Sequence, residues 1–348
     1  MNADNKFWDK PAKPLDAVCR EQARTRQGEL TKPAGSLGRL EELAIFMATA
    51  QERDRPVADR VTIAVFVADH GIAIEGVSAF PQAVTAQMVS NLAQGGAAIS
   101  VIAGTLQANL DIINLGTVFE APSLSNVRHA VIAKGTASFL RGPAMTGEQF
   151  DHAIAVTRAQ ANGSHLFIGG EVGITNTTSA AAVACALLNE SPARLAGPGT
   201  GLDDDGLQHK IRIIERALAH HGTALIDTDA ILQALGGFEI VALVGAYINC
   251  AQQGIPVLID GYISAVAALA AERLCPGVKD WFIYGHRSAE PGHVRVLAAL
   301  DGAPLLMLEM RLGEGSGAAT AVPLIRLACA LHNGMATFAE AEIADRSS

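Results

Sequence analysis

Charge is scarce in this chain. Asp, Glu, Lys and Arg make up only 18% of its 348 residues, against 49% hydrophobic residues, which excludes a disordered chain without a core. Positive charge is the scarcer sign. The net charge is −9, the pI is near 5.6, and no basic stripe appears, which speaks against nucleic acid as a partner. An acidic protein that binds an anion must do so locally, with backbone N–H groups and a few placed cations. A long apolar run is missing as well. The longest candidate, 240–259, is interrupted by Asn249, Gln252, Gln253, Gly254 and Pro256, whereas a membrane span needs about 20 mostly apolar residues in a row. The mean hydropathy of +0.26 therefore traces to alanine-rich helices, and no membrane partner is expected. The five cysteines (Cys19, Cys185, Cys250, Cys275 and Cys329) are odd in number and widely scattered, which excludes a disulfide framework. Residues 1–10 carry no apolar signal-peptide core. The expectation is a cytoplasmic protein with reduced thiols.

Several chemical signatures are absent too. No GxxxxGK[ST] occurs, the 197–202 turn lacks the third glycine of a dinucleotide fingerprint, and no G-x-S-x-G elbow is present. His220-His221 and His286…His293 have no standard ligand spacing, so neither a metal nor a resident cofactor is expected. There is no internal repeat and no low-complexity tract.

What is present is alternation. A mass of 36.2 kDa allows one large domain or two moderate ones. Apolar runs at 61–68, 111–115, 166–168, 256–260, 281–284 and 305–310 read as six buried strands. Helical patterns stand between them: 37–53 with Ser36 as N-cap, 82–93, a capping-box helix from Thr146 to about residue 162, and a helix opened by 203–205. Such alternation indicates a parallel α/β sheet flanked by helices, a Rossmann-like class. Asp69, His70, Asn114, Glu171, Asp260, His286 and Glu314 all fall at or just beyond the C-terminal ends of those strands, the edge where such sheets bind ligands.

Two turns there carry most of the chemistry. In 311–319, Glu314 stands between Gly313 and Gly315, either as a solvated loop residue or as a carboxylate held against a ligand. The 169–178 loop, with Gly169, Gly170 and Gly173 before a helix, fits a phosphate site or a tight turn with an Asn/Thr cap. A further glycine turn at 197–201 precedes an acidic helical start and Lys210.

Taken together, KPAGSLGRLE (32–41), ADHGIAIEGVSAFPQAVTAQM (68–88), GEVGITNTT (170–178), GTGLDDDGLQHK (199–210), LIDGYISAVAALAA (258–271), GHRSAEPGH (285–293) and RLGEGSGAA (311–319) span nearly the whole chain. In this order the chain resembles the nicotinate-nucleotide:dimethylbenzimidazole phosphoribosyltransferases of cobalamin synthesis. The resemblance implies transfer of phosphoribose from nicotinate mononucleotide to 5,6-dimethylbenzimidazole, in a homodimer. It also implies a large α/β domain, 59–316, and a small helical domain from both chain ends, 1–58 and 317–348. It makes Glu314 the catalytic base. Glu171 and Lys210 are placed around the ribose phosphate, together with Gly173, Ile174, Asn176, Thr177 and Gly313. Ser78, Phe80, Pro81, Gln87 and Met88, with Leu312, become the wall for the aromatic base. Val172, Thr175 and Pro198 depart from the family pattern, which bears on fine positioning and base preference rather than on reaction class. Two other functions fit the same sheet edge: a different nucleotide-dependent Rossmann-type enzyme, or a non-catalytic nucleotide-binding subunit.

Overall fold

Aliphatic and β-branched residues run unbroken through β1 (Val61–Ala68), the centre of the sheet. In the computed structural model, which describes residues 6–157 and 161–344, every β1 residue is buried. The two-residue side-chain period sends Ala64, Phe66 and Ala68 into one core and Ile63, Val65 and Val67 into the other. A strand covered on both faces by helices needs that composition.

The strands are β1, β2 (Asn109–Gly116), β3 (Val127–His129), β4 (Leu166–Val172), β5 (Val257–Ile259) and β6 (Phe282–Tyr284), in the order β3-β2-β1-β4-β5-β6. All five pairings are parallel. Thirteen α-helices accompany them among the described residues. From the N-terminus they are α1 (Ala17–Glu29), α2 (Arg39–Gln51), α3 (Ala83–Ala93), α4 (Ala98–Leu106), α5 (Gly147–Ala155), α6 (Asn176–Leu188) and α7 (Pro192–Leu195). There follow α8 (Asp204–His221), α9 (Thr228–Leu235), α10 (Phe238–Gln253), α11 (Tyr262–Leu274), α12 (His293–Ala299) and α13 (Ser316–Gly334). Helices α6, α10 and α11 cover one face of the sheet; α2, α3, α4 and α13 cover the other. The connections leave β1 and β4 in opposite directions across the sheet, so a crevice opens between their C-terminal ends.

The two chain ends meet. Leu30 and Thr337 form an antiparallel bridge, and the Arg26 guanidinium donates to the His332 carbonyl at 2.8 Å. One stretch, Ala83–Leu106, is long and apolar enough by composition to cross a membrane. The turn at 94–97, with Gly95 at φ 84°, divides it into α3 and α4.

Several expectations are corrected. Residues 305–310 do not form a strand. They run beside the end of β6 with one isolated parallel bridge, His286 to Leu306, and a few backbone hydrogen bonds such as Leu305 N–H to the Tyr284 carbonyl at 2.9 Å. Met307 and Leu308 are 66% and 55% exposed, and Glu309 at φ 56° breaks the extended geometry. In its place stands β3, whose Arg128 and His129 face solvent and leave no apolar run to read. Helix α2 begins at Arg39, not at Leu37, because Gly38 at φ 53° turns the chain first, and Ser36 is not its cap. The Thr146 capping box is present, but α5 stops at Ala155; of the remainder expected up to 162, residues 158–160 lie outside the described residues. Strand β4 runs further than its apolar core, so Glu171 belongs to the strand rather than to the loop after it, while Asn114 lies within β2 as expected.

Candidate active site

Three consecutive residues with positive φ make the turn that carries Glu314: Gly313 at 89°, Glu314 at 64° and Gly315 at 82°. A non-glycine residue held there costs about 1–3 kcal/mol, so its surroundings must fix it. The Glu314 amide donates to the Glu171 carbonyl at 3.3 Å, and the Ser316 hydroxyl donates to the Gly313 carbonyl at 2.7 Å. The glycines are needed for close approach. A Cβ on Gly313 would stand 2.5 Å from Glu171 Oε1, and one on Gly170 would overlap the Glu314 carbonyl. Strand β4 and the turn before α13 are thereby locked together, with Glu171 and Glu314 at the junction.

Both carboxylates are buried. Burial raises the pKa of Glu314, and Asp260 adds to the rise, while a hydrogen bond from the Ile99 amide to Oε2, 3.2 Å long, opposes it. Burial also pushes Glu171 well above the usual carboxylate range, with Glu239, Asp260 and Glu314 acting in the same direction. The Asn176 side-chain amide, in the first turn of α6, donates to Glu171 and opposes that rise. Asp260, just past β5, accepts from the Ala318 amide at 2.7 Å and so anchors the start of α13. Burial raises its pKa, while His286, with Nε2 3.6 Å from Oδ1, and backbone amides hold it down.

These groups line one cleft, about 240 Å³ in volume, at the crevice between β1 and β4. Of the residues expected around the ribose phosphate, Glu171, Gly173, Ile174, Asn176, Thr177 and Gly313 line it. Of those expected around the aromatic base, Phe80, Met88 and Leu312 line it, the first and last 48% and 53% exposed. Ser78 lines a smaller adjoining hollow. Pro81 and Gln87 are exposed and do not line the cleft. Helix α3 turns Val84 and Met88 inward and Gln87 outward, as a 100° step per residue requires.

Lys210 also stands apart from the cleft. It is fully buried on α8, and its ammonium donates to Thr177 Oγ1 at 2.8 Å and to the Gly197 carbonyl at 3.0 Å. Burial pulls its pKa down to about 8, with Glu290 opposing. Lys210 thus buttresses the loop that faces the cleft, hydrogen-bonded to its Thr177 and facing the charge of Glu290.

The cleft further contains Tyr262, His286, Ser288, Glu290 and Arg311, which were not on the expected roster. The GHRSAEPGH motif was a usable signal for three of them. Nothing in the sequence could have marked the Ile99 amide, since it is backbone. Among the described residues, no group of three or more His, Cys, Asp or Glu side chains is placed to hold a metal ion.

An open parallel sheet, a cleft at its switch point and a glycine-bordered loop leading into a helix define a Rossmann-like α/β enzyme acting on a small anionic ligand. The chain belongs to the phosphoribosyltransferase family, whose model matches residues 12–343. It is 57% identical over 347 residues to the nicotinate-nucleotide–dimethylbenzimidazole phosphoribosyltransferase of Pseudomonas syringae pv. syringae, covering 98% of this chain and 99% of that one. The protein of the same name from Ectopseudomonas mendocina is 56% identical, with 98% of each chain covered. Among solved structures, the CobT protein of Thermus thermophilus superposes with a TM-score of 0.90 at 40% identity, covering 94% of this chain and 99% of that one. A second structure from that organism, named as the same phosphoribosyltransferase, gives 0.89 at 39% identity, with 95% and 100% covered.

Proposed function

We propose that the cleft transfers the 5-phosphoribosyl group of nicotinate mononucleotide to 5,6-dimethylbenzimidazole, giving α-ribazole 5′-phosphate and nicotinate for the cobalamin nucleotide loop, with Glu314 as general base. The relatives named for this reaction match end to end. The observation that carries the assignment of roles is Glu314 itself. It is a buried carboxylate in a strained turn at the lining of the cleft, with one oxygen tied to a backbone amide.

The chemistry suits these groups. The pyridinium of the mononucleotide is already a good leaving group, so the C1′–N bond breaks with its electron pair going to nicotinate. One benzimidazole nitrogen attacks C1′ from the opposite face, which turns a β-glycoside into an α one. The other ring nitrogen loses its proton to Glu314, so positive charge does not build up on the nucleophile. Holding both flat rings on either side of one carbon supplies the proximity contribution. The loop from Gly173 to Thr177, at the N-terminus of α6, receives the phosphate. Phe80, Met88 and Leu312 offer apolar faces to the base. Burial raises the Glu171 pKa and so favours its protonated form, which can donate as well as accept toward the ribose.

Product analysis by HPLC tests this. With both substrates present, nicotinate and the α-riboside phosphate must appear in equal amounts, and nicotinate riboside must be a far poorer donor. Nicotinate release at the same rate without the base would mark a hydrolase. Tight binding without any release would mark a nucleotide-binding subunit.

A homodimer fits the apolar side chains left exposed, Phe80 and Leu312 at the cleft and Met307 and Leu308 in the segment that leads to it. The pairing of α1 and α2 with the end of α13 favours a small unit built from 1–58 and 317–348 beside a large one, 59–316. Five free cysteines favour the cytoplasm.

A further inference from the structure

The sequence places Glu314 in its turn, but the turn alone leaves the carboxylate free to rotate. Two helix N-termini are within reach of the junction. That of α13 is taken: Asp260 accepts the Ala318 amide at 2.7 Å and is also held by the Gly315 amide. Glu314 reaches instead to α4, where its Oε2 accepts from the amide of Ile99 at 3.2 Å. Ile99 is fully buried and is the second residue of that helix. Its amide is one of the first-turn donors that have no partner inside the helix.

We propose that the Ile99 amide is a positioning group for the transfer: it holds Oε2 of Glu314 and leaves Oε1 as the proton acceptor. The inference rests on Glu314 being the base.

The composition of the neighbouring elements supports it. Helix α3, the 94–97 turn and α4 contain no Asp, Glu, Lys, Arg or His, so from that side Glu314 meets no charged side chain, and its hydrogen bond there comes from backbone. The charged and titratable groups that face it come from elsewhere: Glu171 on β4, Asp260 after β5, His286 after β6 and Arg311 in its own turn. Asp260 and burial disfavour its ionised form. A hydrogen bond to a carboxylate favours that form. The Ile99 amide thus opposes the rise in pKa of a buried base while fixing which oxygen is held. It also couples the base to the aromatic wall, because the 94–97 turn joins α4 to the helix that carries Val84 and Met88.

Proline at residue 99 deletes this donor in the first turn of α4, where a helix tolerates it best, and also shortens a buried side chain. Ile99→Val keeps the amide while trimming the same side chain. In Ile99→Pro the acidic limb of kcat against pH should move up by about one unit, the scale of one charge-assisted hydrogen bond. The KM for the mononucleotide should stay near wild type, and Ile99→Val should leave the limb in place. Loss of the limb in Glu314→Gln keeps the two claims apart. With that limb lost, an unmoved limb in Ile99→Pro overturns the positioning role alone. Should Ile99→Pro fail to fold, the wild-type protein answers directly when labelled with ¹⁵N-isoleucine. The Ile99 amide resonance should titrate at the midpoint of the kinetic limb and stay flat in Glu314→Gln. A wild-type Ile99 amide that does not titrate overturns the proposal.

Discussion

At the scale of single residues, the site stores strain beside its chemistry. Glu314 and Thr175 both sit at positive φ, 64° and 77°, one before α13 and the other before α6. For Glu314 the strain aims a carboxylate, and hydrogen bonds hold it. Thr175 has no such return. It is β-branched, the least suited type to that region, and its buried hydroxyl has no partner among the described residues. Thr175→Gly should therefore stabilise the protein by about 1 kcal/mol, the relieved strain exceeding the entropy that glycine costs. Thermal unfolding checks this, and a lowered midpoint would show that the threonine methyl packs for more than its backbone loses. That a glutamate stood between glycines was plain in the sequence. That the glycines were required for contact between Gly170 and the Glu314 carbonyl was not, because the two lie on different elements.

Between elements, two buried charges act as joints. The His70 ring, just past β1, meets the Glu239 carboxylate of α10 at 2.7 Å, and neither is more than 1% exposed. Burial disfavours the charged imidazole, but Glu239, assisted by Asp69, outweighs it and raises the His70 pKa above 6.5. A raised folded pKa means that this contribution is full below about pH 6.5 and is lost as pH climbs through the folded value. Removing one partner of a buried pair costs about 3–5 kcal/mol. Glu239→Ala should lose that much at about pH 5.5 and less at about pH 8.5. Urea unfolding at the two pH values measures it, and an equal loss at both would deny the pair its charge. The second joint is Lys210, which ties α8 to Thr177 at the start of α6. Because it acts through the loop, Lys210→Met should raise the mononucleotide KM roughly tenfold, the loss of about one charged hydrogen bond, with kcat nearly unchanged. A fall in kcat at unchanged KM would place Lys210 in the transition state instead. These joints were half legible: motif residues could be named, but which of them face ligand and which face protein depends on packing.

For the whole molecule, the order of strands and helices followed from composition wherever a strand was buried on both faces, as β1 is. Reading failed at the margins of the sheet. Strand β3 offers only Val127 to the core and leaves Arg128 and His129 exposed, and 305–310 is apolar although Met307 and Leu308 are exposed. Large apolar side chains left uncovered, Met307 and Leu308 among them, point to a partner surface. Light scattering at micromolar protein should give twice the 36.2 kDa chain mass; a monomeric mass would contradict that. The central claim is that this assembled cleft performs transfer with Glu314 as its base, and kcat against pH for wild type and Glu314→Gln tests it most directly. Burial, then Asp260, raise the Glu314 pKa above 4.5, so the wild-type acidic limb should lie above the ordinary carboxylate range. Glutamine keeps the size and a hydrogen-bonding group but cannot take the proton. The variant should bind the mononucleotide as before, lose about 10²–10⁴-fold in kcat and show no acidic limb. A Glu314→Gln enzyme that kept both its rate and that limb would contradict the account and make Glu171 the next residue to test.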